Sequence, residues 1–145
     1  MEYLTFFVAG QEHAVDAMRV RGVLSPARLA EAPGGPAWLR GKIELDAEDV
    51  AVVDLAAASG IGRVRLGHAS RILVVGPSGE HSALGVLADA VGEAVEIPAG
   101  AAQLPPPFSP RVRAEHVVGI GRLDERLLLL VDADKLPAPS GTREA

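Results

Sequence analysis

Gly41-Lys42-Ile43-Glu44-Leu45-Asp46-Ala47-Glu48-Asp49-Val50-Ala51-Val52-Val53-Asp54 lies over Gly119-Ile120-Gly121-Arg122-Leu123-Asp124-Glu125-Arg126-Leu127-Leu128-Leu129-Leu130-Val131-Asp132 without a gap. Leu45 falls on Leu123, Asp46 on Asp124, Val53 on Val131 and Asp54 on Asp132. Each copy reads as a strand, an acidic turn, an apolar return strand and an aspartate placed to cap a helical turn. A second overlay supports the duplication: Leu4, Phe6, Glu12 and His13 fall on Ile72, Val74, Glu80 and His81. Self-similarity of this kind marks a repeated supersecondary unit. Each half has too little core to stand alone, so the two must pack on each other.

Working outward, Tyr3-Leu4-Thr5-Phe6-Phe7-Val8 is a strand with Leu4, Phe6 and Val8 on one side. His13 to Val15 is its partner, and Asp16 caps a helical turn before a strand at Gly22-Val23-Leu24. Prolines and glycines make 25–36 a loop. Asp54 begins a short helix that stops at Gly60. The basic stretch 61–69 is the expected junction between subdomains. Arg71 to Val75, 82–87, Val91 to Ile97, Val117 to Leu123 and Arg126 to Val131 read as strands. Gly76-Pro77-Ser78-Gly79 is a hairpin turn, and 98–110 is a proline-rich connection. A last helical turn at 132–136 precedes a polar, flexible tail, 137–145. The expected core includes Phe6, Val53, Val74 and Leu129. The fold class is mainly β: two five-stranded barrels around a shared core, with approximate subdomains 1–65 and 66–136 that exchange strands. Closed barrels of this kind leave no exposed edges.

Composition narrows the function. The 145 residues contain no cysteine, which excludes thiolate chemistry and fits a reducing, cytoplasmic setting. No basic segment followed by an apolar one opens the chain, and no apolar run is long enough to span a bilayer, so no membrane insertion is expected. The net charge of −5 and 3% aromatic content argue against a nucleic-acid partner.

The candidate chemical motifs are empty. His13, His68, His81 and His116 show no metal-ligand spacing and are read as surface or turn histidines. Gly76-Pro77-Ser78-Gly79 lacks the Lys-Ser/Thr of a phosphate loop, and Gly119-Ile120-Gly121 lacks the third glycine of a dinucleotide site. Asp132 and Asp134 lack the glycine and closing glutamate of a calcium loop. No serine has a nucleophile-elbow context. The expectation is no enzyme, no metal and no cofactor, and a surface that serves protein partners.

Several blocks resemble the CheW family. They are Tyr3-Leu4-Thr5-Phe6, Ala14-Val15-Asp16-Ala17-Met18-Arg19-Val20, Gly41 to Leu45 with Ala51 to Leu55, Val86-Leu87-Ala88-Asp89-Ala90-Val91 and Gly119 to Leu127. Their order spans residues 2 to 136. The resemblance implies two SH3-like barrels and a cytoplasmic chemotaxis adaptor. Its partners would be the regulatory domain of a CheA-type histidine kinase and the helical tip of a chemoreceptor. The tip would dock in a groove between the barrels, with Val15, Val20, Val23, Val86 and Leu87 in or near it. Gly41 and Asp46 are the other expected contact residues. One corner departs from the family: where Arg-Gly is usual, this chain has Asp46-Ala47, with Ala51 for a proline and Ala56 for an arginine. An alternative is a regulatory or small-molecule-sensing β-barrel with no chemosensory kinase. A partner test separates the two.

Overall fold

The computed structural model describes residues 1–31, 34–76, 83–98, 102–103 and 115–139. The turn at 77–79, His81, most of the 98–110 connection and the end of the tail lie outside the described residues. The chain runs β1 (Glu2–Val8), β2 (Gln11–Asp16), β3 (Val20–Leu24), β4 (Ala30–Glu31), β5 (Leu39–Leu45), β6 (Glu48–Val53), α1 (Leu55–Ala58), β7 (Arg71–Val75), β8 (Leu84–Ala88), β9 (Ala90–Glu96), β10 (Ala102–Gln103), β11 (Val117–Leu123) and β12 (Arg126–Val131). Single 3-10 turns follow β2, β3 and β12, at Ala17–Arg19, Pro26–Arg28 and Ala133–Lys135.

These strands form two six-stranded sheets, ordered β10-β11-β12-β2-β1-β9 and β4-β5-β6-β8-β7-β3. In each, one strand is only two residues long, so five long strands carry the sheet. Strand by strand the two orders match through the sequence repeat. Both contain one parallel pair at the same place, β12 with β2 and β6 with β8. Both slip register at the same point, between Leu39 and Gly41 and between Val117 and Gly119. The backbone N–H of Asp54 donates to Trp38 O at 2.7 Å, and that of Asp132 to the equivalent His116 O at 2.9 Å. The fold is thus two SH3-like β-subdomains. The first hairpin, β1–β2, is hydrogen-bonded into the sheet of β9–β12, and the hairpin β7–β8 into that of β3–β6.

Strands β7 and β8, buried on both faces, centre the core. Phe6 and Val8 of β1, Val15 of β2, Val52 and Val53 of β6, all four valine, leucine and isoleucine positions of β7, and Leu87 of β8 join one apolar cluster fed by both sheets. A smaller cluster of Ala14, Val95, Ile97, Leu128 and Leu130 lies in the β9–β12 sheet. Leu129 corrects the sequence expectation: it is only half-buried. Strand β12 alternates over Leu127 to Leu130, so Leu128 and Leu130, one residue to either side, are buried, and Val131 is buried at its end. Two histidines are a larger correction. His13 and His116 are each only 2% exposed, not surface residues. The His13 ring stacks on Phe6 with centroids 5.5 Å apart, and its Nδ1 bonds Gln11 O at 2.9 Å. His68 is exposed.

Candidate partner-binding site

The seven sequence-derived residues separate into three groups. Val15, Val86 and Leu87 are buried members of the main apolar cluster. Val86 pairs across from Val53 and Leu73, and Val15 from Leu4 and Val131, so their side chains support the sheets.

Val20 and Val23 lie on β3, which pairs with β7 and ends the order of its sheet. Val20 is half-buried and Val23 is 43% exposed. Between β2 and β3, the side chain of Asp16 accepts the N–H of Met18 at 2.9 Å and caps the Ala17–Arg19 turn. That tight turn throws Met18 outward, 88% exposed. Met18 and Val23 are thus the exposed apolar side chains at this sheet margin, while Val20 packs against the main apolar cluster. Sequence reasoning missed Met18. The available signal was an unbranched apolar residue inside a polar turn, where no core position exists. Next to Met18, the guanidinium of Arg19 donates to both Asp134 oxygens at 2.9 and 3.1 Å and to Gly76 O at 3.1 Å. Asp134 raises the Arg19 pKa.

Gly41 and Asp46 belong to the β5–β6 hairpin. Gly41 is buried at φ +150°, and a Cβ there would strike the backbone of Ala30 and Glu31 where β4 crosses it. Only glycine allows that approach. Asp46 sits at the tip with φ +51°, followed by Ala47 at +64°, and both are exposed. Two successive left-handed residues make the tight turn that suits hairpin twist. Aspartate tolerates that region; alanine is strained there. With Glu44, Glu48 and Asp49 also exposed, the tip is acidic, and Lys42 at 3.0 Å from Asp49 is its counter-charge.

Elsewhere, Arg126 ties β12 to Glu12 of β2 at 2.6 Å and to Glu93 of β9 at 3.0 Å, and these carboxylates raise its pKa. Among the described residues no group of three histidine, aspartate or glutamate side chains is placed to hold a metal. No helix among them is long and apolar enough to cross a membrane.

Comparison with known proteins decides the family. A profile described as "CheW-like domain" matches residues 2–138. The chain belongs to the CheW-like domain family. Similar members include the "Chemotaxis protein CheW" of Klebsiella aerogenes, 23% identical over 135 residues that cover 93% of this chain and 80% of that one. The "Probable chemotaxis protein CheW" of Rhizobium etli is 25% identical over 135 residues, covering 93% and 86%. Among solved structures, the scaffolding protein TtCheW from Thermoanaerobacter tengcongensis superposes with a TM-score of 0.79 at 26% identity, covering 90% of this chain and 88% of that one. The CheW-like fold thus accounts for both sheets, and the match runs past the last strand.

Proposed function

We propose that this chain is a non-enzymatic chemotaxis adaptor that couples a receptor to a CheA-type histidine kinase. The observation that carries this reading is the CheW-like match over residues 2–138, which includes every strand of both sheets. The receptor side is the margin of β3, where Met18 and Val23 are exposed. Exposed apolar side chains beside a tight turn suit an amphipathic helix laid along them, such as a receptor's helical tip. The kinase side is the corner of the β5–β6 hairpin. Its acidic tip, with Asp46 where the family usually has arginine, alters the charge offered to the kinase regulatory domain.

The test is a titration of the wild type, Asp46→Arg, and Asp46→Arg with Ala47→Gly against a CheA-type regulatory domain at two salt concentrations. The reverted corner binds several-fold more tightly, and the gain shrinks at high salt because exposed charge pairs are screened. Equal affinity of all three proteins removes the corner from the interface. No saturable binding by any of them rejects the adaptor reading.

A further inference from the structure

Arg40 uses only half of its guanidinium. Nη1 donates to Asp54 Oδ2 and to Val64 O, each at 2.8 Å. The opposite edge is unused: Nε is buried with no hydrogen-bond partner, and Nη2 makes no bond to the described residues. Arg40 is only 8% exposed, yet it lines an open cleft of about 400 Å³ beside β5. The Nε–Nη2 edge holds two parallel N–H donors at the spacing of a carboxylate's two oxygens, the geometry that makes arginine a two-pronged anion grip. Leaving such an edge dry costs its desolvation with nothing returned.

The cleft wall supplies two further features. Arg63 lines it, exposed and without an ion-pair partner among the described residues. Gly34, Gly35 and Gly62 also line it. At Gly34 and Gly62 a Cβ would meet nothing within 4 Å, so this part of the wall is open and carries no side chain. Among the described residues Glu31 is the one acidic residue on the wall, and Asp54 already balances Arg40. Arg63 and Glu31 offset one another in net charge but form no ion pair, so Arg63 stands beside Arg40 as an unpaired cation while the selectivity rests on the arginine fork. The equivalent of Arg40 in the other repeat is Val118, so the feature belongs to one sheet only.

We propose that this cleft binds a carboxylate, gripped by Nε and Nη2 of Arg40 and flanked by Arg63. Malonate is the probe. It is titrated into the full chain against sodium chloride of matched ionic strength, while the Arg40 Nε–H resonance is followed by nitrogen–proton correlation spectroscopy. A saturable shift with malonate, absent with chloride and weakened about tenfold in Arg63→Gln, supports the site. The backbone amide of Gly62 is followed alongside, and Arg40→Lys, which keeps a cation for Asp54 but has no fork, abolishes the malonate response of that amide. If that variant does not fold, the exposed Arg63→Gln still decides. No saturable shift, or the same shift with chloride, means the edge holds water alone and overturns the proposal. A second arm rests on the adaptor reading: the kinase regulatory domain is titrated with malonate saturating. Weakened binding assigns the carboxylate to an acidic side chain of the kinase, and unchanged binding assigns it to a free small anion. A kinase domain that fails to bind at all rejects the adaptor reading and leaves the malonate result standing.

Discussion

Two corners of the molecule share a backbone and differ in how they are held. In the first, after β6, Asp54 is fully buried and accepts four donors. These are the N–H groups of Ala56, Ala57 and Val64 at 3.0, 3.2 and 3.0 Å, and Arg40 Nη1 at 2.8 Å. In the second, after β12, Asp132 caps its own turn through the Asp134 N–H at 2.8 Å, and the position of Arg40 is taken by the exposed Val118. There the ionic work moves outward, to Asp134 with Arg19. The duplicated backbone fixes where an aspartate must cap. It does not fix whether charge is buried behind it. The buried version locks the 61–70 segment onto α1, whereas the outer version ties the last turn to the exit of the first hairpin.

The largest test of this contrast is Arg40→Leu beside Asp132→Ala. Removing Arg40 strands a buried carboxylate and costs roughly 3–5 kcal/mol. Losing the cap at Asp132 costs roughly 1 kcal/mol. Urea unfolding midpoints measure both, and equal losses would break the distinction between the corners.

A second difference lies one step upstream, where Trp38 in one repeat is matched by His116 in the other. Burial, aided by the nearby His13, lowers the His116 pKa from 6.5 to about 4. Burial also lowers that of His13. The folded state therefore resists a proton that the unfolded state accepts. Stability is full above about pH 6.5 and falls as the pH drops toward 4, by up to on the order of 3 kcal/mol for His116. His116→Leu flattens that slope, and because His116 Nε2 has no partner, it does so with little loss at pH 7. Unfolding followed from pH 7.5 to 4.5 checks both statements.

Two glycine exchanges sharpen the comparison of the hairpins. Gly41→Ala forces a Cβ into the β4 backbone at φ +150° and destabilises by roughly 2 kcal/mol, read from the urea midpoint. Ala47→Gly relieves a left-handed alanine and raises stability by about 0.5 kcal/mol in a thermal melt. A loss there would show that Ala47 makes a contact worth more than its strain.

The strands were legible because their signals are local. β7, β11 and β12 fall on the runs read from the sequence, since apolar runs this short between turn residues favour strand over helix. The caps at Asp16, Asp54 and Asp132 were legible for the same reason. Burial was less so. Val15, Val86 and Leu87 read equally well as groove or core, because hydrophobicity does not say which face of a strand another sheet will cover. His13 and His116 were misread because their burial depends on packing between strands far apart in the chain. Arg40 escaped notice altogether: its partner Asp54 already had a sufficient local role as a cap, and nothing in the sequence showed that the same carboxylate would also hold a guanidinium.

The exchanged hairpins also impose an order on biosynthesis. β2 leaves the ribosome well before its parallel neighbour β12. The sheet that contains the amino end is thus the later one to close, while the other has all its strands once β8 has emerged. An isolated two-stranded hairpin is marginal in water, so β1 and β2 wait for partners made later. The last of these contacts closes a loop from β2 to β12, the kind of non-local pairing that slows folding. A stop codon between β2 and β12 would leave β2 as an open edge, a template for aggregation.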